Sequence, residues 1–166
     1  MKLNLKFFEI SGTWQPNDAE RRAAWDLYVE LITRVTIAPM RQDEGLLREA
    51  LTSVYSIFAS TREILKRYGP EVAEPKKNGQ YNFAFLAIAL LNYELRPILS
   101  KWHPELEQWE TLQEPAVSRR EHEAAWSRSV ELREELSNMR RTIMVYANTL
   151  GAACGVPDLS SAVPEA

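Results

Sequence analysis

Between Arg96 and Glu110 the chain reads RPILSKWHPELEQWE, and two of its side chains could act together. His103 carries an imidazole, the group whose charge changes near neutral pH and which can move a proton. Arg96 carries a permanently charged guanidinium. Seven positions on a straight α-helix turn through about 700°, so the two side chains return to nearly one face, ~10.5 Å apart. Pro97 lies between them and bends a helix, because it lacks an N–H and crowds the carbonyl four residues back. A purely structural use of the same residues is also open. In it Arg96 pairs with Glu94 or another surface carboxylate, and His103 caps a turn before Pro104.

The spacing resembles the arginine–histidine motif of the HEPN family of helical ribonucleases, an arginine followed after four to six residues by a histidine. The resemblance covers these two residues and the helical fold class. It implies a dimer in which two protomers face each other and the paired motifs promote attack of the RNA 2′-hydroxyl without metal. Arg96 and His103 would then be the catalytic residues. The position after the arginine is commonly polar in that family and is Pro97 here. The chain as a whole, chiefly the same stretch, also resembles small uncharacterised all-helical proteins of bacteria, which implies a fold class and no activity.

Other chemistry finds less support. Adjacent residues on a helix point about 100° apart, so Glu121, His122 and Glu123 cannot converge on one ion. A di-iron bundle needs Glu-x-x-His repeats, but Arg119 and Ser100 stand three residues before the two histidines. No metal and no cofactor is expected. The arginines of the last helix, Arg119 to Arg141, alternate with Glu121 to Glu135, and Arg128 reaches Glu131 three positions on. That pattern reads as a solvated charged face. Trp102 and Trp109, seven apart among prolines, are candidate anchors for a partner or the lining of a small-molecule pocket.

These residues sit in a chain of 166 residues, 45% hydrophobic and 26% charged, enough for one domain with a sizeable core. A net charge of −3 argues against bulk attraction to duplex nucleic acid. The single cysteine, Cys154, excludes an intramolecular disulfide and a cysteine metal cluster. The segment MKLNLKFFEI is too short and polar for a signal peptide. The apolar run from Phe83 to Leu91 is about half the ~20 residues a bilayer crossing needs. A cytoplasmic protein without membrane contact is expected.

The fold expected is all-α: an antiparallel four-helix bundle with a short N-terminal extended segment and a kinked third helix. The single domain covers residues 1–156. An arm at 1–12 alternates in strand fashion and needs a partner, either another protein's sheet edge, a second protomer, or a loop such as 71–77. Helices are placed at 17–38, 43–68, 81–102 and 118–154. Asn17 with Glu20, and Ser118 with Glu121, are capping boxes. Pro39 marks the end of the first helix, and Gly69–Pro70 ends the second. Residues 69–80 read as a mobile, exposed linker, and the third helix, apolar all round, as the most enclosed. At Pro97 that helix kinks or is re-started, and His103-Pro104 is a second break. The last helix carries Leu132, Leu136, Met139, Ile143, Tyr146 and Leu150 at near-heptad spacing, and Gly155 ends it. Its length suggests that part of this seam, Leu132 and Met139 included, is uncovered for a partner. Residues 157–166 are expected to be disordered.

Three functions follow as expectations: a non-catalytic helical interaction module or subunit of a multiprotein bacterial system, self-associating or bound to a protein partner; the HEPN-like dimeric ribonuclease; and a small-molecule sensor.

Overall fold

The structure, a computed structural model, describes residues 2–5, 10–34 and 44–163. The fold is all-α. Two short strands precede the helices: the backbone of Lys2–Leu5 (β1) pairs antiparallel with Ile10–Thr13 (β2), Lys2 opposite Thr13 and Leu5 opposite Ile10. The Thr13 carbonyl then accepts the Tyr81 amide at 3.0 Å, and just beyond it the Gln15 carbonyl accepts from Lys76 at 3.2 Å.

The first helix, α1 (Asp18–Ile32), starts at its capping box: the Asn17 side chain accepts from the Glu20 amide at 2.8 Å and Glu20 accepts from the Asn17 amide at 2.7 Å. Pro39 lies outside the described residues. Helix α2 (Leu47–Tyr68) starts later than position 43 and ends at Gly69, whose φ of 63° suits a residue without a Cβ. Its buried positions, Leu47, Leu51, Val54, Ile57 and Ile64, follow helical spacing and face the core. Residues 69–80 are tied down, against the sequence-based expectation of a mobile linker. Gly69–Ala73 form a 3₁₀ turn with Val72 buried, and Asn82 donates to the Ala73 and Glu74 carbonyls.

The third helical segment departs most from expectation. Helix α3 (Phe83–Ala89) runs into a π turn (Leu90–Leu95) and then into α4 (Arg96–Glu110) without a break. The Arg96 amide bonds the Leu91 carbonyl, five residues back. That wider register absorbs one extra residue just ahead of Pro97, which cannot donate, so the proline sits in the first turn of α4, the re-start expected as the alternative to a kink. Pro104 lies inside α4, and neither it nor His103 ends the helix. The helix thus runs past position 102 to Glu110. Phe83–Glu110 is consequently 28 residues long and apolar enough, by length and composition, to cross a membrane, but half of its apolar window is buried within the fold.

The last helix is divided. Helix α5 (Arg119–Ala124) keeps its Ser118–Glu121 capping box, a turn follows, and α6 runs over Ser129–Cys154. Continuity fails because Trp126 turns inward and meets Trp102 edge-on, with ring centroids 5.8 Å apart. Gly155 ends α6 in the left-handed region. Beyond it the Tyr28 hydroxyl accepts the Leu159 amide at 3.0 Å, and Ser160–Ala162 form a 3₁₀ turn. The chain beyond α6 thus reaches back to α1 at Leu159.

Helix α1 packs against α2 and α6, and α2 also against α4. Gly151 of α6 faces the Tyr28 ring of α1, where an added Cβ would stand at van der Waals contact, 3.4 Å away. The core joins Leu27, Leu31, Leu51, Ile57, Phe83, Leu90, Ile143 and Tyr146. Each such side chain contributes about 1.5–3 kcal/mol through removal from water.

Candidate functional site

Helix α4 carries Arg96 and His103 on the side that meets α2, so the seven-residue spacing does place them on one face. They are separated there by aromatic rings. The Arg96 guanidinium lies 5.3 Å from the centre of the Phe58 ring and donates from Nε to Asn92 at 2.9 Å. Phe58 stacks with Tyr55 at 6.2 Å, and Tyr55 meets the His103 ring edge-on at 6.0 Å. The expected pairing of Arg96 with Glu94 is replaced by these contacts, and His103 caps no turn.

His103 instead bonds across to α2. Its Nδ1 lies 2.8 Å from Nη1 of Arg48. A guanidinium has only donors, so Nδ1 is the acceptor and the imidazole is neutral, with its proton on Nε2. That nitrogen is buried with no hydrogen-bond partner. Burial pushes the imidazole below its ordinary pKa and the Arg48 cation adds to this, while Glu107 and Glu110 oppose it. Arg48 is held from its other side by Glu110, through Nε at 3.0 Å and Nη2 at 2.8 Å. The start of α2 is thereby clasped to the end of α4.

A cleft of about 310 Å³ opens beside this clasp, between the start of α2, the end of α4 and α5, and Arg48, Trp109, Glu110, Arg119, His122 and Glu123 line it. Trp109 stacks on His122 at 4.6 Å. Each ring also donates to the other residue's carbonyl, Trp109 Nε1 at 2.9 Å and His122 Nε2 at 2.8 Å. This fixes α5 against the end of α4. Glu123 does the same for α2: it accepts the Leu47 amide at 2.8 Å, the job an N-cap side chain would do, and receives Arg133 at 3.3 Å. Its burial holds the carboxyl above its ordinary pKa, against the pull of the Leu47 amide and Arg133.

The other sequence-selected residues fall elsewhere. Trp102 is fully buried, donates to Glu135 at 2.6 Å, and lies between Lys101 and the Arg128 guanidinium, each 4.4 Å from its ring centre. Leu132 and Met139 are buried too, as are Leu136, Ile143, Tyr146 and Leu150. The α6 seam is therefore covered by the chain's own core, and Trp102, Leu132 and Met139 present no surface to a partner. Trp109 is half-buried on the cleft wall.

One exposed apolar row lies on the helix expected to be most enclosed. Phe85, Ile88 and Tyr93 stand on the outer side of α3 and the π turn, 47%, 46% and 67% exposed. No charged residue occurs between Tyr81 and Tyr93. The ring of Phe85 is supported by Tyr81, stacked at 5.1 Å.

Set beside known protein families, curated proteins and solved structures, the chain matches none of them. The site must be read from its own geometry.

Among the described residues no group of three or more His, Cys, Asp or Glu side chains is placed to hold a metal ion. Nothing local in the sequence distinguishes Arg48 and Glu110 from neighbouring surface charges, and Glu123 stands out there only as a metal-ligand candidate that helical geometry rejects. By contrast, Arg128 does bond Glu131, at 3.0 Å, as the spacing implies.

Proposed function

We propose that this chain is a non-catalytic helical interaction module, a cytoplasmic subunit of a multiprotein bacterial system, built as an antiparallel four-helix bundle. The observation that carries this reading is the exposed, charge-free row Phe85–Ile88–Tyr93. Large apolar side chains grouped on one helix face, in a stretch whose sequence carries no charge from Tyr81 to Tyr93, are costly in water and typical of contact surfaces. A second copy of the chain or another protein covers the row. Sedimentation velocity across a concentration series tests self-association, and purification of the tagged chain from its host tests a second component. In both, Phe85→Gln/Ile88→Gln should lose the association while keeping its helical circular dichroism. Association that is unchanged in this folded variant sinks the reading.

The HEPN-like ribonuclease is a second reading, supported by the common face of Arg96 and His103 and by the extra cation at Arg48. The buried Nε2 of His103 and the capture of Nδ1 by Arg48 work against it, because a general acid or base must reach its substrate. The sensor reading rests on the cleft beside Trp109. Trp102 does not line that cleft.

A further inference from the structure

The chain has two histidines, and both sit at the junction of α2, α4 and α5. Their hydrogen bonds differ in kind. His122 donates from Nε2 to a carbonyl. His103 accepts at Nδ1 from a guanidinium that cannot give up its proton. The charged groups facing His103 among the described residues are Arg48 from α2 and Glu107 and Glu110 from α4. The Tyr55 ring closes a further side.

We propose that the Arg48–His103 contact is a proton-operated latch that holds the start of α2 against the end of α4 and opens the adjoining cleft when His103 is protonated. A proton can arrive only at Nδ1, since Nε2 already carries one. It would set two N–H donors and two positive charges face to face at 2.8 Å, with no acceptor between them. The pair must separate. Arg48 holds both His103 and Glu110, so its departure from the imidazole loosens the cleft wall formed by Arg48 and Glu110.

The sign follows from linkage. The folded imidazole has a lower pKa than the free side chain, ordinarily ~6.5. The open or unfolded chain therefore binds the proton more readily. The latch's contribution is fully present above pH ~6.5 and is lost as pH falls through the lower, folded value. Between pH ~6.5 and that value the open population rises by up to about tenfold per pH unit, the limit for one proton, and below it the rise levels off.

The test combines a titration with an exchange measurement. NMR of the full chain, with ring resonances of both histidines assigned, should show His103 titrating below pH 6.5. Amide hydrogen exchange, corrected for the intrinsic pH effect, should accelerate at 46–52 and 107–113 between pH 7.5 and 5.5. His103→Gln can accept from Arg48 through its side-chain carbonyl but cannot titrate, so its protection there should not depend on pH. Three results would overturn the latch: a His103 midpoint at or above 6.5, wild-type protection at these amides that ignores pH, or equal acid opening in His103→Gln. Should that variant fail to fold, the wild-type titration and exchange decide the matter alone.

Discussion

The Glu20 carboxylate accepts the Phe83 amide at 2.9 Å, joining α1 to the start of α3 across 63 positions of sequence. The same fully buried side chain takes the Asn17 amide at 2.7 Å, the Trp14 indole at 3.4 Å and the Lys76 ammonium at 2.5 Å. One capping residue therefore gathers the arm, the 69–80 connection and two helices. A buried charge is tolerated only when so fully paired. Glu20→Ala would strand the Lys76 ammonium and the Phe83 amide, at a cost of about 3–5 kcal/mol. Urea denaturation checks this, and Glu20→Gln should cost less because it still accepts a bond from one amide.

Trp102 gives a second stability prediction. Its burial, its bond to Glu135 and its two cations lock α4 to α6. Trp102→Ala should lose about 3–5 kcal/mol through the cavity left behind. Trp102→Phe keeps most of the ring and loses the bond to a carboxylate, about 1.5–3 kcal/mol. Thermal and chemical unfolding of the pair should rank them in that order, and equal losses would mean that the hydrogen bond contributes nothing.

The row on α3 predicts the opposite behaviour. Phe85→Gln and Ile88→Gln replace half-exposed side chains with a good helix former, so stability should change by only about 0.5 kcal/mol. Association should fall sharply. A stability loss of several kcal/mol without an effect on association would show that these side chains serve the fold and not a partner.

For the ribonuclease reading, purified protein should cleave RNA in the presence of a metal chelator, and His103→Ala should abolish that cleavage. The His103→Gln protein separates the two roles of the imidazole: it keeps the latch closed yet cannot transfer a proton. Cleavage surviving in both variants, or absent from the wild type, removes the reading.

Much of this was written in local pattern. The capping boxes at Asn17 and Ser118 and the stop at Gly69 depend on residues within a few positions, and each forms as its spacing demands. So does the common face of Arg96 and His103, which follows from helical geometry. Burial across the chain follows no such rule. The run from Phe83 to Leu91 is apolar on all sides, and periodicity could not say which side would remain uncovered. Near-heptad spacing on α6 could not reveal that α1 and the core would cover Leu132 and Met139. The π turn at Leu90–Leu95 is invisible to a pattern built on 3.6 residues per turn, yet it lets the helix pass Pro97 unbroken. Likewise, Arg48 meets His103 and Glu110, and Glu123 caps α2, over separations of 55 to 76 residues. Side-chain types and short-range hydrogen bonds specify where helices start and stop. Packing alone selects which charges meet, because long-range contacts form only once several helices have been brought together.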